Sequence, residues 1–378
     1  TKRANKTPLG IYVHVPFCRS KCQYCDFYSL CTKEDKIIDG YLDAVCDHIK
    51  EAGELAPNYK VDTIYFGGGT PSLIRPAELQ SLIDSAAGLW DFSGVGEITV
   101  EANPDDLTAE YIDQLRRTVV NRVSLGVQSF DDEELRFMNR RHSAEQAVGA
   151  VKRLQDAGLE NITIDLIFGV DGFSEQVLER SLRQAVDLDV KHVSAYHLTI
   201  EPQTAFGRRL ARGDMHEVDE QQSDMEYVLV HQMLTRVGFE HYEVSNYART
   251  GFRAQHNSSY WRGDKYLGIG PGAHSFDGES RHWSAQSVAE YIVQREYESE
   301  RLDERDHFNE YVMTALRCAE GVNLSYLEQR FGAQQRERVE RIAEGWLRSG
   351  DLRCEKGWMR IPVERFMISD AVIESLFV

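Results

Sequence analysis

Three cysteines stand close together near the start of the chain, in the segment Cys18-Arg-Ser-Lys-Cys22-Gln-Tyr-Cys25. Iron–sulfur clusters are held by cysteine thiolates, usually by four of them. This spacing supplies three, which leaves one iron of a [4Fe–4S] cluster open to the amine and carboxylate of an amino acid. A structural zinc site would need four ligands, usually as separated pairs. The spacing therefore predicts a [4Fe–4S] cluster on these three thiolates.

The remaining cysteines do not suggest disulfides. The chain has seven cysteines, an odd number, and the other four are Cys31, Cys46, Cys318 and Cys354. Clustered cysteines of this kind indicate a metal site in a reducing compartment. Cys31 is an alternative fourth ligand, although a buried or free thiol is the simpler interpretation. The last three are interpreted as core residues.

Glycine-rich or polar segments follow the next three strand-like runs. They are Gly67–Ser72 (GGGTPS), Glu101–Pro104 (EANP) and Gly126–Phe130 (GVQSF), which contains Gln128. Glycine at a strand end lets a ligand approach the backbone closely. A carboxylate at a strand end can accept hydrogen bonds from ribose hydroxyls. These segments are compatible with a nucleoside site beside the cysteines, and the alternative is an ordinary glycine turn and an exposed loop acid.

Asp165 interrupts a run that is otherwise apolar, Ile162–Phe168. A carboxylate in such a position is costly to bury unless it has a partner. Arg140 follows the preceding strand-like run, which makes it a candidate partner of Asp165.

Strand-like and helix-like segments alternate over the first 200 residues. The strand-like runs are rich in apolar and β-branched residues: Ile11–Val15, Thr63–Phe66, Glu97–Val100, Arg122–Val127, Ile162–Phe168 and His192–Ile200. Amphipathic stretches between them include Ile37–Lys50, Pro76–Leu89 and Ala144–Leu154, the last with a capping box from Ser143 to Gln146. This alternation predicts an α/β fold, a partial (β/α)6 barrel with its functional residues at the carboxyl ends of the strands.

The pattern of strand-like and helix-like segments changes twice after residue 200. Residues 201–300 are expected to form an α+β extension with less clear periodicity. Residues 301–378 are expected to form a small winged-helix-like domain, with a hairpin over Leu352–Ile361 that turns at Gly357 and a last helix after Ser369. The predicted domains are thus 1–200, 201–300 and 301–378.

The excess of acidic residues restricts the classes of molecule that the protein can bind. The formal net charge is −18 and the pI is about 5.2, so phosphate backbones and anionic membranes are disfavoured. No apolar run approaches the length of a membrane span, and no secretory signal precedes the first strand-like run. These features predict a cytoplasmic protein that does not bind nucleic acid.

The C-x3-C-x2-C triplet, with Tyr24 before its third cysteine, resembles the radical S-adenosylmethionine (SAM) superfamily. The segments Tyr12–Cys18 (YVHVPFC), GGGTPS, EANP, GVQSF and Leu198–Pro202 (LTIEP) are similar to its oxygen-independent coproporphyrinogen III oxidase-like branch. The resemblance extends from about residue 11 to residue 275. It implies that the open iron binds SAM and that reductive cleavage of SAM yields a 5′-deoxyadenosyl radical.

The resemblance also implies a set of SAM contacts. By position, these are Tyr12, Tyr24, Gly69, Thr70, Glu101, Gln128, Arg140 and Asp165, with Thr199 and His274 as further candidates.

Three functions remain open within this branch. The oxidases typically have a longer segment before the cluster and a fourth cysteine where Phe27 stands here. The segment His256-Asn-Ser-Ser-Tyr-Trp261 (HNxxYW) is similar to a motif of the heme chaperones, and it makes His256 a candidate heme ligand. The first hypothesis is therefore a heme chaperone. The alternatives are a coproporphyrinogen III oxidase and a methyltransferase. The implied partners are heme or another tetrapyrrole, a heme-accepting apo-protein and an electron donor protein.

Overall fold

Parallel strands alternate with helices in the first half of the chain. The computed structural model describes residues 6–32 and 34–378. The elements of this half are β1 (Thr7–Val15), β2 (Phe17–Cys18), β3 (Leu30–Cys31), α1 (Asp35–Ala52), β4 (Tyr59–Gly68), α2 (Pro76–Ala87), β5 (Glu97–Ala102), α3 (Ala109–Leu115), β6 (Arg122–Gln128), α4 (Asp132–Phe137), α5 (Ala144–Asp156), β7 (Ile162–Phe168), α6 (Glu175–Asp187) and β8 (His192–His197).

The expected barrel is confirmed. Strands β1, β4, β5, β6, β7 and β8 are parallel neighbours in that order. Their residues are mostly buried, and in β7 every residue except Asp165 is buried. Strands covered on both faces need such apolar runs. The covering helices are amphipathic. In α5, for example, the buried residues are Ala147, Ala150, Val151 and Leu154, and the predicted capping box at Ser143 is present.

The second segment continues the same sheet at both of its edges. Its elements are α7 (Ala205–Arg212), α8 (Glu220–Arg236), β9 (Glu240–Glu243), β10 (Asn246–Ala248), α9 (Gln255–Trp261), β11 (Tyr266–Ile269), β12 (His274–Phe276), β13 (Ser280–Ser284), α10 (Val288–Val293) and β14 (Tyr297–Arg301). The sheet order is β14-β13-β12-β11-β1-β4-β5-β6-β7-β8-β10-β9. Residues 201–300 therefore add strands on either side of the six parallel ones.

The C-terminal segment is a helical module with a small antiparallel sheet. It contains α11 (Glu304–Leu316), β15 (Val322–Asn323), α12 (Leu324–Phe331), α13 (Ala333–Ser349), β16 (Arg353–Glu355), β17 (Trp358–Arg360) and α14 (Ser369–Leu376). Strands β16 and β17 form the predicted hairpin, with Gly357 at φ +82° in its turn. Across the described ranges, no helix is long and apolar enough to cross a lipid bilayer.

Candidate functional site

A cavity of about 400 Å³ opens at the carboxyl ends of the parallel strands. Its volume is within the range of small-molecule sites. All three cysteines of the motif line it. So do most of the expected SAM contacts: Tyr24, Gly69, Thr70, Glu101, Gln128, Arg140, Asp165 and the further candidate Thr199. The parallel strands thus bring together residues that are far apart in the sequence.

The cysteines occupy a loop held by residues from other strands. Cys18 is buried, and its Sγ accepts a hydrogen bond from the Thr70 hydroxyl at 3.4 Å. The Cys22 Sγ accepts a hydrogen bond from Arg140 Nη1 at 3.2 Å. Burial raises the pKa of the Cys18 thiol and raises that of Cys25 to about 11. Metal binding must therefore displace protons from these two thiols.

The chemistry of the three thiols is that of an iron–sulfur donor set. Among the residues that the structure describes, no three Cys, His, Asp or Glu side chains lie close enough to hold one metal ion. A [4Fe–4S] cluster has its irons at separate corners, and each thiolate binds its own iron. Three free cysteines around one cavity, with hydroxyl and guanidinium donors on their sulfurs, are the donor set that such a cluster requires.

Arg140 connects the cysteine loop to two strand ends. Its Nη2 donates to Asn103 Oδ1 at 2.6 Å and to the carbonyl oxygen of Gly126 at 2.5 Å, while Nη1 reaches Cys22. Arg140 is not the hydrogen-bond partner of Asp165, because its hydrogen bonds go to Cys22, Asn103 and Gly126. Asp165 instead accepts a hydrogen bond from the hydroxyl of Ser124 at 3.3 Å.

Two partly buried carboxyl groups face the cavity. Glu101 accepts hydrogen bonds from the Tyr65 hydroxyl at 2.7 Å and from the backbone N–H of Gly68 at 3.1 Å. Burial nevertheless raises the pKa of Glu101 to about 7 and that of Asp165 to about 6. Burial thus disfavours the ionised form of both carboxyl groups, and a ligand that donates hydrogen bonds to Glu101 would favour its ionised form.

Close backbone packing at the strand ends requires glycine. A Cβ atom at Gly69 would lie 2.7 Å from the carbonyl oxygen of Phe17, and Gly68 has φ +108°. Only glycine fits these two positions. Gln128 has φ +69° beside a register shift at the end of β6. A strained non-glycine residue in a bulge is common where a strand end directs a side chain toward a site.

Two of the expected contacts lie away from the cavity walls. Tyr12 sits deeper in the barrel, with its hydroxyl 3.1 Å from His14 Nδ1 and its ring stacked near Tyr65. His274 is exposed on β12, where its ring stacks on Trp283 with the centroids 5.3 Å apart. The structure therefore gives neither residue a direct place in the cavity wall.

His256 lies inside the barrel, toward the amino ends of its strands. Its side chain is fully buried, and its Nδ1 and Nε2 lie 2.8 Å from the Thr63 hydroxyl and 2.9 Å from the Tyr260 hydroxyl. Glu97 accepts hydrogen bonds from the backbone N–H groups of Gln255 and His256, which anchors the start of α9. The geometry argues against an axial heme ligand here, because both ring nitrogens are engaged and no face is accessible.

Some cavity residues were not identified from the sequence. Asn103, Ser124 and Tyr196 line the same cavity. Asn103 lies within the EANP segment, and its side chain both donates to Thr70 and accepts from Arg140. Ser124 could have been found by strand periodicity, since it points to the same face of β6 as Gly126. Tyr196 occupies the corresponding face of β8, where no motif marks it.

Two family models match the chain. Residues 12–185 match the radical SAM superfamily, and residues 302–350 match the HemN C-terminal domain. The first contains the parallel strands and the cysteine cavity, and the second covers most of the C-terminal helical module.

Relatives of the same name match along most of the chain. It is 35% identical over 379 residues to the heme chaperone HemW of Mycobacterium tuberculosis strain H37Rv, which covers 98% of this chain and 95% of the relative. It is 34% identical over 328 residues to HemW of Lactococcus lactis, covering 86% and 85%. It is 39% identical over 267 residues to HemW of Escherichia coli, covering 71% and 70%.

The fold also matches a solved structure. Coproporphyrinogen III oxidase (HemN) from Escherichia coli, described as a radical SAM enzyme, superposes with a TM-score of 0.84 over 100% of this chain and 92% of that one. The sequence identity is 21%, so this similarity concerns the fold.

Proposed function

The chain belongs to the HemW family within the radical SAM superfamily, and from that premise we propose that it binds heme and transfers it to apo-proteins. The observation that carries the proposal is the 35% identity to a heme chaperone HemW over 98% of the chain. The HNxxYW segment adds support. It forms helix α9, whose start is hydrogen-bonded to Glu97 of the barrel. The end of α9 lines a cavity that is separate from the cysteine cavity.

We further propose that the protein carries a [4Fe–4S] cluster on Cys18, Cys22 and Cys25, and that it binds SAM in the adjoining cavity. When bound, the reduced cluster supplies the electron that cleaves SAM. Glu101 would accept hydrogen bonds from the SAM ribose, and Gly68 and Gly69, which line the same cavity, would face its amino-acid part. Arg140 holds the cysteine loop against two strand ends, which keeps these groups in one geometry.

The oxidase alternative has weaker support. The similarity to the HemN oxidase is at the level of fold. Phe27 stands where the oxidases typically have a fourth cysteine, and its side chain is 67% exposed at the cavity rim. The methyltransferase alternative has no specific observation in its favour among the described residues.

Heme binding is tested by anaerobic titration of the cluster-reconstituted protein with hemin, followed by the Soret band. We expect saturable binding with one heme per chain. The absence of a saturable phase would sink the chaperone proposal, and assays of coproporphyrinogen turnover and methyl transfer would follow.

Transfer is tested separately with the heme-loaded protein and an apo-hemoprotein such as apomyoglobin. The two should be mixed with and without SAM and with and without dithionite, which stands in for the electron donor protein. We expect the Soret absorbance of the acceptor to increase faster with this protein as the heme donor than with an unrelated heme-binding protein, from which the acceptor can take up only released hemin. Equal rates would indicate binding without chaperone activity.

A further inference from the structure

The loop that carries the three motif cysteines, residues 19–27, is held between two other segments of the chain. The backbone N–H of Gln23 donates to the carbonyl oxygen of Met138 at 3.1 Å. The backbone N–H of Phe206 donates to the carbonyl oxygen of Gln23 at 2.9 Å. Residues 136–141 and helix α7 therefore flank the cysteine loop.

These three segments are strongly basic, although the chain as a whole is acidic. Residues 19–27, 136–141 and 205–212 together contain eight Lys or Arg residues and one carboxylate. The whole chain has 43 basic and 61 acidic residues. The one carboxylate, Asp26, accepts a hydrogen bond from Gln203 Nε2 at 2.6 Å, which ties the loop to the start of α7. The local excess of cations produces a positive potential beside the cysteine loop.

Three of the eight cations hold the cysteine loop from within. Arg140 donates to Cys22 Sγ at 3.2 Å. Arg19 and Arg141 both pair with the buried carboxylate of Asp106, at 3.8 and 3.2 Å. The charges of these three residues are therefore already engaged in the site.

Helix α7 carries three further cations. Arg208 and Arg212 are exposed, and Arg208 Nη1 donates to the carbonyl oxygen of Gln203 at 2.8 Å. The guanidinium of Arg209 lies over the ring of Phe137, 4.8 Å from its centroid. These partners are uncharged, and none of the three arginines forms an ion pair with a carboxylate among the described residues. Their charge is available to an anionic partner.

Lys21, Arg136 and Phe27 extend the same surface beside the cysteines. Lys21 and Arg136 are exposed, and Lys21 Nζ donates to the carbonyl oxygen of Phe27 at 3.4 Å. The side chain of Phe27 is 67% exposed. An exposed aromatic side chain among charged ones is a common composition of protein interfaces. We call the following five residues the basic face: Lys21, Arg136, Arg208, Arg209 and Arg212.

The basic face lies where a large partner can come closest to the proposed cluster. Cys22 and Cys25 are partly exposed in the loop that the face surrounds, whereas Cys18 is buried. Transient electron-transfer pairs have small interfaces, and complementary charge speeds their encounter. A membrane or a nucleic acid would match the charge of the face, but it would supply no electron. These observations favour an acidic redox protein.

We infer that the basic face docks an acidic one-electron carrier protein that contains a flavin or an iron–sulfur centre. This inference rests on the proposed cluster and assigns a place to its reductant. The carrier gives up one electron and the cluster takes up one, so the step balances without making or breaking a bond. The five cations attract and orient the carrier, and Phe27 supplies an apolar contact near the cysteines.

The test measures binding of two acidic carriers, a flavodoxin and a [2Fe–2S] ferredoxin, to the full-length, cluster-reconstituted protein. Arg208→Glu/Arg212→Glu reverses two exposed charges on α7. Arg341→Glu/Arg348→Glu makes the same change in net charge on exposed positions of α13 and is the control. At low ionic strength we expect the calorimetric Kd of at least one carrier to rise about tenfold or more in the α7 variant and to change little in the control. Added salt should weaken binding to the wild type.

A second arm measures how fast a reduced carrier bleaches the visible absorption of the cluster in stopped flow. Photoreduced deazariboflavin, which is small and uncharged, serves as a reductant that needs no docking surface. We expect the α7 variant to be reduced about tenfold more slowly by the carrier and equally fast by deazariboflavin. Circular dichroism and iron analysis establish that each variant is folded and holds its cluster.

The outcomes separate this inference from the cluster proposal. If the wild type holds its cluster but binds neither carrier, the docking assignment is overturned and the cluster proposal stands. The assignment is also overturned if the α7 variant binds both carriers as the wild type does. It is overturned as well if that variant loses affinity only for single-stranded RNA or for phosphatidylglycerol vesicles, titrated in parallel. If the reconstituted wild type contains no cluster, the cluster proposal itself fails.

Discussion

The Nδ1 atom of His256 lies 2.8 Å from the hydroxyl oxygen of Thr63, inside the barrel and toward the amino end of β4. The cysteine cavity opens at the other end of the same strands. The HNxxYW helix therefore closes the barrel on the side away from the cluster loop. This relationship places the HNxxYW helix and the cysteine loop at opposite ends of the barrel and gives His256 a structural role.

Replacing His256 should destabilise the fold. His256→Ala removes a fully buried ring and leaves the hydroxyls of Thr63 and Tyr260 without this partner. The cavity and the lost hydrogen bonds should lower the free energy of unfolding by about 2–4 kcal/mol. Tyr260→Phe removes one hydroxyl and should cost about 1 kcal/mol. Urea denaturation followed by circular dichroism gives both values.

The spectrum of the heme complex provides an independent check on His256. We expect the ligand-field bands and electron paramagnetic resonance signal of ferric heme to be the same in the wild type and in folded His256→Ala. If the wild type gave a histidine-type signal and His256→Ala gave a different one, His256 would be the iron ligand. That result would contradict the buried, hydrogen-bonded position of His256.

The three motif cysteines should be individually necessary for the cluster. After anaerobic reconstitution the wild type should contain about four irons per chain, and Cys18→Ser, Cys22→Ser or Cys25→Ser should lose most of them. Cys354→Ser is the control, because Cys354 is exposed on β16 and is not the core residue that the sequence suggested. Iron and sulfide analysis with the visible absorption spectrum is the measurement. A full cluster in any of the three variants would remove that residue from the ligand set.

Glu101 should contribute to SAM affinity. Glu101→Gln keeps the size of the side chain but removes its charge, and hydrogen bonds to charged groups contribute about 1.5–3 kcal/mol. We therefore expect SAM binding to weaken by about 10- to 100-fold in equilibrium dialysis of the reconstituted protein. Glu110→Gln, on the exposed face of α3, should bind SAM normally. Equal affinities for the two variants would exclude Glu101 from the SAM site.

Glu243 should make stability depend on pH in a defined direction. Burial raises the pKa of its carboxyl from 4.5 to about 7 in the folded chain. Between these values the unfolded chain holds fewer protons than the folded chain, so stability falls as pH rises through this window and levels off above pH 7. The full effect is on the order of 3 kcal/mol.

Glu243→Gln removes this titration. The melting temperature of the variant, relative to the wild type, should therefore rise between pH 5 and pH 8. Glu240→Gln, on the same strand, is the control. Hydrogen bonding to Thr250 lowers the pKa of Glu240, so its effect should be constant over that range. If the melting temperatures of both variants changed with pH in the same way, the raised pKa of Glu243 would be contradicted.

Much of the fold and the cluster loop followed from local sequence. Each predicted strand lies within or nearly matches an observed one, because strands buried on both faces need near-continuous apolar runs. The capping box at Ser143 and the turn at Gly357 depend on neighbouring residues alone. The cysteine spacing is likewise local, and it was enough to predict a cluster.

The contacts that the site residues make were decided by the tertiary structure. The pairing of Arg140 could not be read from the sequence, because Cys22, Asn103 and the Gly126 carbonyl reach it from three separate elements. The HNxxYW motif marked α9, but its orientation depends on the carboxylate of Glu97, more than 150 positions earlier in the chain. His256 is fully buried in this arrangement, whereas Trp261 lines a second cavity of about 870 Å³. Spacing determines which residues are neighbours along an element, whereas the packing of distant elements determines which of them a ligand can reach.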